Sequence, residues 1–104
     1  MWRRLLGSPP PRDAFPQGKP DQAKAASRLV LLEEGRTPSG DYLLAPFLAS
    51  LGPALVRLDA RAAPRAGQLL PGDFVVVQRY LHAPWRAAIE RHRTGLAGLA
   101  WFLD

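Results

Sequence analysis

The stretch Asp73-Phe-Val-Val-Val-Gln-Arg-Tyr-Leu-His-Ala-Pro-Trp85 decides how this chain is read. Four consecutive residues, Phe74 to Val77, are aromatic or β-branched, and the turn residues Leu70-Pro71-Gly72 precede them. A run with no polar side has nothing to present to water, so it predicts a strand buried on both faces. Gln78, Arg79 and Tyr80 follow at its carboxyl end, and Pro84 then opens a helix. A buried strand that delivers a charged residue to its carboxyl end and turns into a helix is the repeating unit of an open α/β sheet. In such sheets ligands bind outside the carboxyl ends of the strands.

The neighbours of this strand follow from the same reasoning. Leu29-Val30-Leu31-Leu32 is a second fully apolar run and predicts a central strand that ends in Glu33-Glu34-Gly35. Thr37, Ser39 and Asp41 are each able to cap a helix, and Leu43, Leu44, Phe47, Leu48 and Leu51 continue at helical spacing up to the stop Gly52-Pro53. Pro46 interrupts that pattern, so the helix either starts near Asp41 or is kinked. Ala54 to Asp59 reads as a third strand, with Arg57 pointing to an edge position. Residues Ala60 to Gly72 form an arginine- and alanine-rich connection with no helical face. A short helix from Pro84 to Arg93 carries Trp85, Ala88, Ile89 and His92 on one side, and Leu96 to Leu103 is the last strand. The expected fold is α/β: a small parallel sheet of four strands with two main helices. Right-handed crossovers favour the strand order 2-1-3-4. That order makes strands 1 and 3 neighbours whose exits go to opposite faces, which is a topological switch point. Its crevice is expected to be lined by Glu33 to Tyr42 and by Gln78 to Trp85.

Charge is uneven along the chain. Residues 1 to 27 carry Arg3, Arg4, Arg12, Lys19 and Lys24 against Asp13 and Asp21, and the remaining nine basic groups face seven acidic ones. The basic balance therefore comes largely from the leader. With arginines scattered over the rest, no dense nucleic-acid footprint is visible, and no nucleic-acid partner is expected. The leader is rich in Pro, Ala, Lys and Gln, and Pro9-Pro10-Pro11, Pro16 and Pro20 oppose helix. Residues 1 to 27 are expected to be a disordered tail, leaving 28 to 104 as the folded unit. The chain has no cysteine, so thiolate chemistry and disulfides are excluded. Its longest apolar run, Leu96 to Leu103, falls far short of the ~20 residues needed to span a bilayer. No apolar segment of signal-peptide type follows the basic start, and the default location is the cytoplasm.

At the expected crevice, Gly35-Arg36-Thr37-Pro38-Ser39-Gly40 has the outer spacing of a phosphate-binding loop, but Asp41-Tyr42 stands where Lys and Ser or Thr belong. An acidic residue there repels a polyphosphate, so a hydroxyl-rich or weakly anionic ligand suits the loop better. Thr37, Ser39 and the first helical N–H groups are its donors, and Asp41 is an acceptor. Simple helix capping explains the same residues. Arg79 and Tyr80, directly after the buried strand, are placed to meet an anion or a carboxylate, with Glu33 or Glu34 as a structural alternative. His82 and His92 lack a clustered carboxylate, so no metal is assigned and no cofactor is expected. A receiver-domain reading fails because Gln78-Arg79 stands where the phosphoryl-accepting Asp belongs, and a hydrolase reading lacks a nucleophile.

Three segments also resemble a known family: Leu29 to Tyr42 with its Arg-Thr-Pro-Ser-Gly-Asp-Tyr, Val75 to Leu81 with its Arg-Tyr-Leu, and Leu96 to Asp104. They resemble the amino-terminal part of bacterial glycosyltransferases built from two Rossmann-like halves, over residues 28 to 104. In that architecture the first half mostly binds the acceptor and the second binds the nucleotide-sugar. The resemblance implies that this chain is a partial enzyme without the donor-binding half and inactive in transfer by itself. It also implies that Arg36, Thr37, Ser39, Asp41, Arg79 and Tyr80 line an interdomain cleft. The implied partners are a sugar or glycan acceptor and a second α/β domain or another copy of the chain. A non-catalytic interaction domain is the competing expectation, because a four-stranded sheet leaves much surface and an open edge.

Overall fold

The structure is a computed structural model and describes residues 20 to 102. It is an α/β fold around one parallel sheet in the order β2-β1-β3-β4, formed by β1 (Arg28–Glu33), β2 (Ala54–Asp59), β3 (Asp73–Gln78) and β4 (Gly98–Phe102). In register, Leu32 of β1 faces Val77 of β3 on one side and Leu58 of β2 on the other. The two fully apolar runs occupy the two central positions, as their lack of a polar side requires.

Alternation along the strands divides the core into two layers. Leu29, Leu31, Phe74 and Val76 pack with Leu44 and Leu48 from the segment after β1. Val30, Leu32, Val75 and Val77 pack with Trp85, Ala88 and Ile89 from the helix after β3. Neighbouring strands β1 and β3 thus send their following helices to opposite faces, and the switch point expected from the sequence is present.

Local chemistry explains the helices. Between β1 and β2 the chain winds a π-helical turn, Gly40–Leu44, in which the Ala45 N–H donates to the Gly40 carbonyl. An α-helical turn, Ala45–Ala49, follows with Pro46 near its start, where a missing N–H costs little. The proline is thus accommodated by the widened turn before it. The helix after β3 is Ala83–His92, opened by Pro84 and closed by a 3₁₀ turn, Arg93–Gly95. The connection from β2 to β3 contains no helix, in keeping with its sequence, and Ala60 and Leu69 still reach the core.

Two boundaries differ from the sequence reading. Residues Pro20–Ala25, counted there as the end of an unstructured leader, form a helix, and Ala23 is buried against Leu29 and Phe74. Its Asp21 lies in the first turn and Lys24 in the last, which suits the helix dipole. Proline at the opening of a helix is compatible with it, so Pro20 did not bar this turn. Residues 1 to 19 lie outside the described residues. The last strand begins at Gly98 rather than Leu96, because Leu96 and Ala97 are used in the approach, where the Ala97 N–H donates to the Asp73 carbonyl at 2.7 Å. In chain order the helices are α1 (Pro20–Ala25), α2 (Ala45–Ala49) and α3 (Ala83–His92). Among the described residues no helix is long and apolar enough to cross a membrane.

The amino-terminal rim of the sheet is held by a buried carboxylate. Asp73 accepts from Arg28 Nε at 2.9 Å and Nη2 at 2.7 Å, and from the Leu70 N–H at 2.9 Å. This ties the start of β1 to the start of β3 and leaves the opposite rim as the one where loops carry unassigned polar groups.

Candidate functional site at the carboxyl rim of the sheet

Glu33 is the last residue of β1 and is 2 % exposed. Strand alternation turns it to the α2 face, together with Leu29 and Leu31. Arg57 of β2 is turned to the same face and sits across from Leu31, one step diagonal to Glu33. The two side chains meet in a forked pair, Nε to Oε2 at 2.6 Å and Nη2 to Oε1 at 3.0 Å. The same Nη2 lies 2.9 Å from Asp41 Oδ1, and Arg36 Nη1 approaches that oxygen at 3.2 Å. Hydrogen bonding to Glu33 raises the pKa of Arg57 above its usual value, against the effect of burial. Hydrogen bonding from Arg57 holds the Asp41 carboxyl below the usual carboxylate range, with Arg36 adding to it.

Gly40 has no side chain because Glu33 takes the space. A Cβ there would run into Glu33 Oε1 and stand 3.0 Å from both Arg57 Nη2 and Thr37 Oγ1. Thr37 uses its hydroxyl oxygen to accept the Gly40 N–H at 3.0 Å, capping the helical segment. Ser39, an alternative cap in the sequence, makes no capping hydrogen bond and lies half-buried in the helical turn.

On the far side of β1, Asp59 ends β2. Arg61 folds back on it, with Nη2 at 2.8 Å from Oδ2 and Nε at 3.0 Å from Oδ1, and the Arg61 N–H also donates to Oδ1 at 2.9 Å. These bonds push the Asp59 carboxyl far below the usual range. The Gly35 N–H donates to the same oxygen at 3.2 Å. A cavity of about 250 Å³ opens here, lined by Glu33, Gly35, Arg36, Arg57, Asp59 and Arg61 among others. It presents guanidinium donors and carboxylate acceptors side by side.

Among the described residues, side-chain contacts span the crevice between β1 and β3 at Thr37–Gln78 and at Glu34–His82. Gln78, buried at the end of β3, donates its amide N–H to Thr37 Oγ1 at 3.2 Å. His82 Nε2 lies 2.8 Å from Glu34 Oε2. The two carboxylates offered by the sequence as partners for Arg79 are therefore engaged elsewhere, Glu33 with Arg57 and Glu34 with His82. Arg79 itself leaves β3 with φ +69°, a left-handed conformation unusual for a residue with a side chain. Its N–H donates to the Phe102 carbonyl at 2.9 Å. Tyr80 is 61 % exposed, with its ring centroid 6.4 Å from that of His82.

The six residues expected to form the site thus fall into separate places on one rim. Arg36 and Arg57 share the Asp41 carboxylate beside β1. Thr37 bridges to Gln78, with Ser39 in the turn after it. Arg79 and Tyr80 follow β3, and neither lines the cavity. Arg57, Asp59 and Arg61, which do line it, are absent from the expected set. Their signal was an arginine in an otherwise apolar strand followed by an Asp-Ala-Arg turn; the pairing with Glu33 becomes visible only through the strand register.

Fold and rim together define the class: a parallel, doubly covered α/β sheet with a polar cleft at the carboxyl ends of its strands. Compared with known proteins, the chain matches no family model, no curated protein and no solved structure.

Proposed function

We propose that this chain is the acceptor-side half of a two-domain glycosyltransferase, binding a sugar or glycan at the carboxyl rim of its sheet. What supports the reading is the cavity beside Glu33, in which Arg36, Arg57 and Arg61 alternate with Asp59 and Glu33. A sugar hydroxyl both donates and accepts, so it is served by a carboxylate on one side and a guanidinium on the other. Paired charges of both signs favour such a neutral ligand over a polyphosphate, in line with the failed phosphate-loop pattern at Asp41-Tyr42. Under this reading the donor nucleotide-sugar is held by a second α/β unit facing the rim, these residues alone perform no transfer, and the domain works in the cytoplasm. Saturation-transfer NMR with free monosaccharides tests it, using the exposed Arg36→Ala/Arg61→Ala variant as control. Saturation that is lost in the variant is expected; none, or an equal signal in both proteins, overturns the reading.

A second reading, a non-catalytic domain that docks on another chain, is favoured by the aromatic groups at the same rim. Tyr42 is 84 % and Tyr80 61 % exposed, and exposed tyrosines are frequent anchors of protein interfaces. Sedimentation velocity separates the two for self-association: a monomer throughout the micromolar range counts against it.

A further inference from the structure

A second cavity, also of about 250 Å³, lies between α3 and the connection from β2 to β3. Its floor is apolar: Leu69, Trp85 and Ala88, all buried. The Trp85 indole N–H donates to the Ala62 carbonyl at 2.8 Å and so fixes the connection over the helix. Its border is cationic: Arg65 from the connection and Arg91 from α3, with the His92 imidazole beside them. Among the described residues no carboxylate lines it, and neither Arg65 nor Arg91 has an ion-pair partner. Glu90, the one carboxylate of α3, faces Arg93 at 3.8 Å and is not part of the lining. Arg28, Arg36, Arg57 and Arg61, by contrast, are each matched to a carboxylate.

We infer that this groove is a binding site for a small amphipathic anion, with an apolar ring or short acyl body and a carboxylate head. The body lies over Leu69, Trp85 and Ala88, and the carboxylate forms ion pairs with Arg65 and Arg91, which have none of their own among the described residues. Charge-assisted bonds to a guanidinium are the strong, oriented part of such recognition. The volume is just under that of pockets for drug-sized molecules, so a compact ligand fits. The site is independent of the sugar-binding reading, since no residue is shared with the rim.

The test uses the full chain, indole-3-acetate as the probe and tryptamine as its cationic counterpart with the same ring. Titration is followed by ¹H–¹⁵N NMR, where the Trp85 indole N–H reports from the groove itself. Indole-3-acetate is expected to give saturable shifts at Trp85 and Ala88 with a Kd on the order of a millimolar, as suits so few atoms. Tryptamine is expected to bind at least about tenfold more weakly, and Arg65→Gln/Arg91→Gln to weaken indole-3-acetate by about tenfold or more while leaving other resonances in place. Raised salt weakens the acid and not the amine. Equal affinity for the two probes, shifts centred elsewhere, or no saturation overturns the assignment.

Discussion

Replacing Arg57 with leucine isolates what the Glu33–Arg57 pair does for the fold. Glu33 is 2 % exposed, and both of its carboxylate oxygens accept from Arg57, at 2.6 and 3.0 Å. Removing the guanidinium leaves a buried carboxylate without its main partner, a class of change that costs about 3–5 kcal/mol. Arg57 keeps 17 % of its side chain in contact with water, so solvent reaches the pair and the lower end, about 3 kcal/mol, applies. A domain of this size has a total stability of roughly 5–10 kcal/mol, so the variant should lose about a third or more of it. The thermal midpoint should fall by at least ~12 °C, at roughly 4 °C or more per kcal/mol. Urea unfolding followed by the fluorescence of the buried Trp85 and Trp101 measures the loss directly. The companion Glu33→Leu/Arg57→Leu removes both charges and should recover to within about 1 kcal/mol of the parent, because apolar replacement of a buried pair is near neutral. A single variant that loses less than about 1 kcal/mol, or a double variant no better than the single, refutes the account of the rim as a network built on a buried charge.

Three other outcomes follow from the same geometry. Gly40→Ala places a methyl group against the Glu33 carboxylate and 3.0 Å from Arg57 and Thr37, and is expected to cost about 1–3 kcal/mol by overpacking; a change below about 0.5 kcal/mol in urea unfolding would show that the contact relaxes freely. Arg79→Gly and Arg79→Val both delete the guanidinium, so their difference reports the φ +69° backbone alone, and the glycine variant should be the more stable by about 1–2 kcal/mol; equal stabilities would show that the turn is not held left-handed. Asp59 has its carboxyl held below the usual range chiefly by the Arg61 hydrogen bonds, so its contribution is full above about pH 4, the value in an unfolded chain, and is lost as pH falls toward the folded value. Asp59→Asn should therefore flatten the acid limb of stability below about pH 4 while leaving the neutral-pH slope alone, and an unchanged acid limb would contradict that coupling.

How much was legible in the chain depended on the range of the interaction. Phe74 to Val77 and Leu29 to Leu32 declared central strands, since residues apolar on both sides leave only the interior open to them. Arg57 marked β2 as the edge, and the crossover rule then left one compact order for the sheet. Pro46 announced an irregularity whose form, a π-helical turn from Gly40 to Leu44, depends on how that segment seats Leu44 and Leu48 on the sheet. Pro20 misled for a related reason: Ala23 finds a place in the core only once β1 and β3 are assembled, and a local composition argument does not see that surface.

The sequence by itself determined the fold class, the strand order and the rim on which polar groups gather, because period-2 burial and chain connectivity are local or nearly local properties. Tertiary structure alone decided the partners on that rim. Glu33 and Arg57 are 24 positions apart, as are Gly35 and Asp59, while Thr37 and Gln78 are 41 apart and Glu34 and His82 are 48 apart. A charge identifies its counterpart by distance in space, and only the register of β1 between β2 and β3 sets those distances.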